Sequence, residues 1–300
     1  MRAIKPIFII LILLIGNGCA EKPQVQTGKA GCPTLPPDGM ECIPGGFYKL
    51  GTNRTDFKKE LYELSAFAEH TVELSPFFID RYEVTTEEYQ RCVVAKKCNA
   101  VRSNYPQMRG AKQPQLKANW FEATAYCKTQ GKRLPTEAEF EAASRGPQGE
   151  DYPWGNEPAN CTRAVIKDEH GRGCPHMKDA KGFVPTPERF KDAGNTWEVG
   201  SRPIGRYGLY DMAGNAQEWV SDWFVDSLEK CGSACTEKNP KGPCAGKEKC
   251  TVSKQKLVKG GAWYWGQMSA LAAVRRPYFP ENDPPHHFGF RCVKDASVKN

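Results

Sequence analysis

Thirteen cysteines in 300 residues constrain the fold of this chain more than any other feature of its sequence. In an exported protein cysteines are expected to pair as disulfides, because the compartments outside the cytoplasm are oxidising. The odd count leaves at least one cysteine without a partner inside the chain. We therefore expect up to six disulfides and one cysteine with a different role.

The N-terminal residues are typical of a bacterial lipoprotein signal. Arg2 and Lys5 precede an apolar run of nine residues, 7–15, which is too short to cross a bilayer and fits an export signal. Gly18 then precedes Cys19, the cysteine that we expect to carry the lipid. The lipid would anchor the protein to a membrane and leave twelve cysteines to pair.

This interpretation sets the expected domain boundaries and location. We predict a signal peptide over 1–18 and a polar, Pro/Gly-rich tether over 19–41. The protein would be an exported, membrane-anchored lipoprotein of the bacterial cell envelope, with simple secretion as the alternative.

Composition argues for a loop-rich globular domain and against a nucleic-acid partner. The chain has 28 glycines and 23 prolines, and its hydrophobic content of 39% is enough for a core. Its net charge is +7, but the lysines are spread along the chain with no dense basic block. We expect no nucleic-acid binding.

Three capping patterns predict three short helices. Thr85 and Thr136 open capping boxes, and Asn119 is a third N-cap with an acid three residues later. We expect the first helix to reach about residue 94. Gly131 and Gly146 are suited to end the second and third helices.

Alternation of apolar and polar residues predicts several short strands. We expect an opening strand over 43–51, two strands within 71–80 that are separated at Pro76, and a final strand over 287–292.

Two segments without clear periodicity are expected to be surface excursions, 161–202 and 226–256. Sequence proximity suggests three local disulfides, Cys32–Cys42, Cys92–Cys98 and Cys161–Cys174. The second excursion holds four cysteines whose pairing the sequence leaves open: Cys231, Cys235, Cys244 and Cys250. A zinc site of four thiolates is the alternative for these four, although paired Cys-x-x-Cys spacing is absent.

The stretch 208–223 carries oxygen ligands in a glycine-rich context. We interpret it as too polar for a plain core strand and too rich in glycine for a helix. Asp211 and Glu218 supply carboxylates, while Gly214 and Ala216 can turn backbone carbonyls toward the same point. Such oxygens suit Ca²⁺. The alternative is an ordinary turn with solvated acids.

Seven ordered segments resemble the formylglycine-generating enzyme, or sulfatase-modifying factor, family. They are Pro44–Phe47 with Gly51, Phe78–Thr85, Gly131–Glu141, Tyr152–Gly155, Gly208–Trp219, Gly260–Trp263 and Gly289–Cys292. The resemblance covers about residues 42–294, which implies one domain over that range and a tail over 295–300. It implies an α+β fold, a disulfide-rich variant of the C-type-lectin-like fold with little regular secondary structure.

The resemblance also implies ligands and one long-range bond. The family's calcium ligands fall on Asp211, Gly214, Ala216 and Glu218, and a second calcium site would begin near Asn160. The family pattern further implies a disulfide between Cys127 and Cys292.

One departure from the family pattern bears directly on activity. Enzymes of this family hold Cu(I) between two cysteines that follow the Gly-Gly-x-Trp motif, and thiolates are the donors that Cu(I) prefers. The corresponding positions here are about Trp265 and Ala270, and Met268 is a single thioether. We expect no catalytic residues of this type, no bound copper and no copper-dependent formylglycine formation.

The iron-dependent branch of the family also lacks support. Its histidine triad has no counterpart, because His286 and His287 are adjacent and would face opposite ways on a strand. We expect both to be surface-loop histidines.

The residues near the missing thiols suggest a ligand groove instead. Tyr264, Trp265 and Arg276 are of the types that anchor binding interfaces. We favour a non-oxidase binding module for a peptide, protein or glycan. The alternatives are an enzyme of the same family, with sulfatase oxidation or other oxidoreductase chemistry, and a structural envelope protein; the oligomeric state stays open.

Overall fold

The computed structural model describes residues 31–32, 34–59, 64–101, 108–177 and 194–296. The expected signal peptide, Cys19 and most of the expected tether lie outside these ranges. No helix in the described ranges is long and apolar enough to cross a membrane.

Three helices begin where the capping patterns predict them. They are α1 (Thr86–Val94), α2 (Trp120–Thr129) and α3 (Glu137–Arg145). In each helix the N-cap side chain accepts a hydrogen bond from the third helical N–H, and that residue's carboxylate accepts one from the N-cap N–H. A one-turn helix, α4, spans Leu228–Cys231.

The described strands are short and form three sheets. An antiparallel sheet has the order β1-β4-β9, from β1 (Met40–Ile43), β4 (Phe77–Asp80) and β9 (Val293–Asp295). A hairpin-like pair joins β2 (Gly46–Leu50) to β3 (His70–Leu74). The third sheet has the order β7-β6-β5-β8, from β5 (Gln217–Trp223), β6 (Lys256–Lys259), β7 (Arg276–Tyr278) and β8 (Phe288–Gly289).

The two strands predicted within 71–80 are confirmed, but two other strand predictions are wrong in extent. The opening strand is interrupted at Pro44, which has no N–H to donate to a ladder. The final strand over 287–292 is divided because the carbonyls of Phe290 and Cys292 accept from Val84 and Asp80 outside that strand. The chain passes here from the four-stranded to the three-stranded sheet, and β9 runs past the predicted domain end at 294.

Strand β5 contradicts our view of 208–223 as too polar for the core. Six of its seven residues are buried, with neighbours on both sides in β6 and β8. Its polar side chains are tolerated because they have buried partners: Glu218 pairs with Arg291, and Asp222 accepts from the N–H of Glu137. The sheet thus positions this stretch at the centre of the molecule.

The segment 161–202 is not a surface excursion in its described parts. Val165 is fully buried, and its carbonyl accepts from the N–H of Asn215. Trp197 is also buried, and its N–H donates to the Asn215 side chain. The segment has no periodicity because irregular backbone, held by these bonds, supplies its buried residues.

All twelve described cysteines are paired in disulfides. Four bonds coincide with the expected pairs: Cys32–Cys42, Cys92–Cys98, Cys127–Cys292 and Cys161–Cys174. The remaining two are Cys231–Cys235 and Cys244–Cys250, so zinc ligation by these four thiols has no support.

Helix α3 is buried together with its charged side chains. Glu141 is 3% exposed and accepts from Lys259 at 2.8 Å, Arg145 at 2.9 Å and the N–H of Gly51 at 2.6 Å. Burial opposes its ionisation, but these neighbours hold the pKa of Glu141 at about 2. The cluster ties α3 to β6 and to the loop after β2.

Candidate functional site

The predicted calcium ligands lie on a tightly curled segment that leads into β5. Asp211, Gly214 and Asn215 all have positive φ, at 54°, 83° and 59°. A side chain at Gly214 would approach the carbonyl of Val165 to 2.7 Å, so glycine is required there. The curl brings Asp211 close to Glu218 at the start of the strand.

Glu83 fixes this segment from outside it. Its carboxylate accepts from the N–H of Ala216 at 2.8 Å and from the Asn215 side chain at 2.7 Å. Sequence reasoning did not single out this residue. The sequence feature that could have indicated Glu83 is its place in Phe78–Thr85, one of the seven segments that resemble the family, where it is an acid between Tyr82 and Val84.

Three buried carboxyl groups surround one guanidinium. Arg291 holds Glu218 through two hydrogen bonds of 2.7 Å. Burial raises the pKa of Glu83, Asp211 and Glu218, and repulsion by the other two raises that of Glu83 further. Three carboxyl groups thus lie near Arg291, and a bound cation would favour their ionised forms over the protonated forms that burial favours.

One of the predicted ligands, Asp211, has a carboxylate oxygen that is free to bind a hard cation. Asp211 Oδ2 accepts from the N–H of Gly200 at 2.6 Å, whereas its Oδ1 is buried without a hydrogen-bond partner. An orphaned carboxylate oxygen among other buried carboxylates suits Ca²⁺. Both oxygens of Glu218 already accept from Arg291, so Asp211 offers the open ligand atom.

The positions at which we expect the family's two thiols, about Trp265 and Ala270, lie after β6. Trp265 follows a turn whose backbone is anchored by the bond from the Trp263 N–H to the Asn215 carbonyl and by the bond from the Lys167 N–H to the Trp265 carbonyl. Ala270 is fully buried. Its backbone packs closely on Gly261, since a Cβ added at Gly261 would lie 2.7 Å from the Cα of Ala270.

Of the three predicted groove residues, Trp265 contacts the other two. The rings of Tyr264 and Trp265 meet edge to face with centroids 4.9 Å apart, and the Arg276 guanidinium lies 5.5 Å above Trp265. The Arg172 guanidinium lies 3.7 Å from the centroid of the Tyr264 ring, and the His287 ring stacks on Tyr264 with centroids 5.1 Å apart. They form a layered cluster of aromatic and cationic groups.

His287 corrects our expectation of a surface-loop histidine. It is 4% exposed, and its Nε2 lies 2.9 Å from an Arg276 nitrogen. Burial and the charge of Arg276 hold the pKa of His287 well below its usual value, so the ring is neutral at physiological pH. His286 is partly exposed and lies beside Trp263 and Tyr264.

Two large cavities of the molecule lie elsewhere. One of about 520 Å³ is lined by charged residues that include Asp80 of β4, Glu88 of α1 and Lys132, which follows α2. Another of about 910 Å³ lies between α2 and the segment 239–248. Neither is lined by Tyr264, Trp265 or Arg276, so the predicted groove residues pack together instead of lining these spaces.

Comparison with known proteins identifies the family. Residues 28–296 match the family model described as "Sulfatase-modifying factor enzyme 1-like domain". The chain is 29% identical to the formylglycine-generating enzyme of Bos taurus, over 87% of this chain and 75% of that protein. It is 28% identical to the formylglycine-generating enzyme of Thermomonospora curvata, over 86% of this chain and 93% of that protein.

A solved structure supports the expected fold. PvdO from Pseudomonas aeruginosa superposes with a TM-score of 0.61 at 22% identity, covering 85% of this chain and 94% of that one. The α+β fold with little regular secondary structure and six disulfides is thereby confirmed as that of the sulfatase-modifying factor proteins. This chain belongs to the sulfatase-modifying factor, or formylglycine-generating enzyme, family.

Proposed function

We propose that this chain is a lipid-anchored protein of the bacterial cell envelope whose domain binds a peptide, protein or glycan and does not oxidise sulfatase cysteines with copper. The observation that carries the proposal is the identity of the two positions where the family's thiols are expected, Trp265 and Ala270.

The available donors do not fit Cu(I). Two soft thiolates are the ligands that hold this ion in the family enzymes. Every cysteine in the described ranges is consumed by a disulfide, and Ala270 is buried without a donor atom in its side chain. The Met268 sulfur lies 3.9 Å from Arg54, a cation that disfavours a metal ion beside it.

Trp265, at one of the two expected thiol positions, and the residues around it supply binding groups. Aromatic rings and guanidinium groups dominate the energetics of many interfaces. Tyr264, Trp265 and Arg276 lie in one cluster with Arg172 and His287. The ligand would bind against this cluster, at the position that oxidises substrate in the family enzymes.

Calcium has a structural role in the proposal. It would be held by Asp211, by the backbone carbonyls of Gly214 and Ala216, and by Glu218, whose carboxylate would be shared between the ion and Arg291. The orphaned Asp211 Oδ1 supports this assignment.

The proposal is tested by incubating the oxidised, purified protein with Cu(I), oxygen and a cysteine-containing sulfatase peptide. We expect no aldehyde by mass spectrometry and no stoichiometric copper, while a formylglycine-generating enzyme run in parallel gives both. Aldehyde formation that requires copper would overturn the proposal. Mass spectrometry of the native protein, expressed in a bacterial host, tests lipidation at Cys19.

A further inference from the structure

The seven tryptophans of the chain differ sharply in how their indole N–H groups are satisfied. Five of them donate to backbone carbonyls at 2.7–2.9 Å, namely Trp120, Trp154, Trp197, Trp219 and Trp223. Trp263 and Trp265 are the exceptions: their Nε1 atoms are buried and have no partner. Buried polar groups are ordinarily paired, so two orphans in neighbouring positions need an explanation.

A third orphaned donor lies in the same cluster. Arg276 can only donate, so the 2.9 Å contact to His287 makes Nε2 of that ring the acceptor. In the neutral ring the proton then resides on Nδ1, which is buried and has no partner. The centroids of the His287 and Trp265 rings are 6.1 Å apart. These two unpartnered donors therefore belong to neighbouring rings of the same cluster.

An unneutralised cation completes the set. The Arg172 guanidinium lies 3.7 Å above Tyr264, the ring that contacts Trp263, Trp265 and His287. In the described part of the chain no carboxylate forms a salt bridge with Arg172. The cluster is thus rich in donors and positive charge, and the orphaned atoms named here supply no acceptor.

We infer that the ligand of this cluster presents an oxyanion, a carboxylate or a sulfate, to the N–H groups of Trp265, His287 and Trp263 beside Arg172. The inference rests on the proposed binding function and names the chemical group of its ligand. An oxyanion accepts several hydrogen bonds at once and pairs with a guanidinium. A neutral apolar ligand would leave all three donors unsatisfied, which is unfavourable for buried N–H groups.

The indole N–H resonances of the full chain provide a direct test by ¹H–¹⁵N NMR. The oxidised protein is titrated with acetate, with sulfate, with the neutral isostere acetamide and with sodium chloride at matched ionic strength. We expect acetate or sulfate to shift the Trp263 and Trp265 signals saturably, while the five signals of the bonded indoles stay in place. The stronger of the two anions identifies the carboxylate or the sulfate as the natural group.

Matched variants then assign the donors. Trp265→Phe keeps an aromatic ring but removes the N–H, and we expect the apparent affinity for the anion to fall about tenfold, the loss of one hydrogen bond to a charged group. Arg172→Gln should weaken binding similarly. Trp154→Phe is the control, because its N–H donates to Glu157 away from the cluster. Its affinity should be unchanged.

Two results would overturn the inference. One is the absence of any saturable shift of Trp263 and Trp265 with either anion, which would assign the orphaned donors to buried water. The other is an equal response to acetamide or chloride. The outcome is separate from that of the copper assay. If the protein binds the anion and also oxidises the peptide with copper, only the proposed function is refuted. If it does neither, only this inference is refuted.

Discussion

Removing the Cys127–Cys292 disulfide should lower the free energy of unfolding more than removing any local disulfide. The bond joins Cys127 on α2 to Cys292, directly before β9, across 165 residues. Chain entropy in the unfolded state then predicts a loss of about 5 kcal/mol for the Cys127→Ala/Cys292→Ala double variant. The local disulfides inside this loop shorten it, but the dependence on length is logarithmic and the estimate changes by only about 0.1 kcal/mol.

The Cys92–Cys98 bond is the matched control. It closes only 6 residues, so the same relation predicts a loss of about 2 kcal/mol for Cys92→Ala/Cys98→Ala. Alanine is chosen because Cys127 and Cys292 are fully buried, where a serine hydroxyl would need a hydrogen-bond partner. The difference between the two double variants should be about 3 kcal/mol.

Urea unfolding under non-reducing conditions measures both losses, followed by tryptophan fluorescence and by far-UV circular dichroism. Coincident transitions by the two probes establish that a single free energy is being compared. Equal losses in the two variants, or a larger loss at Cys92–Cys98, would refute the reasoning that the long bond acts by restricting the unfolded chain.

Three further predictions concern charge and metals. Glu141→Gln should destabilise the protein by about 3 kcal/mol at neutral pH, since a folded pKa of about 2 gives stability that is present above the unfolded pKa near 4.5 and lost as pH falls toward 2. The difference in free energy of unfolding between parent and variant, measured by urea unfolding, should therefore be smaller at pH 3 than at pH 7. A difference that stays constant with pH would contradict the pairing with Lys259 as its source. Chelation of calcium should lower the melting temperature of the parent but not of Asp211→Asn, and equal effects on both would exclude Asp211 as a ligand. Trp265→Cys/Ala270→Cys should gain Cu(I) binding by metal analysis, and failure of the folded, reduced double variant to bind would show that more than the thiols has been lost.

Much of the local structure could be predicted because its causes are local. A capping box is closed within four residues, so Thr85, Asn119 and Thr136 indicated three helices without knowledge of the fold. Local disulfides such as Cys92–Cys98 follow from short separation in the chain. The Cys127–Cys292 bond could not be derived in this way, and only the family resemblance suggested it.

The errors arose where partners come from distant segments. The polar side chains of β5 look unsuited to the core from the sequence, because the residue that neutralises Glu218, Arg291, lies 73 residues away in the chain. The segment 161–202 lacked periodicity, yet Val165 and Trp197 are buried through bonds to Asn215. Periodicity reports regular elements, and it gives no signal for buried irregular backbone.

The candidate site shows the same division. The sequence by itself was enough to propose that Trp265 and Ala270 stand where the family's thiols are expected, because residue identity alone shows that neither side chain can supply a thiolate. Only the tertiary structure decided that His287 is buried and neutral, that Arg276 fixes its proton on Nδ1, and that two of seven indoles lack an acceptor. The physical reason is that a hydrogen bond is a property of two groups, and folding alone determines which groups meet.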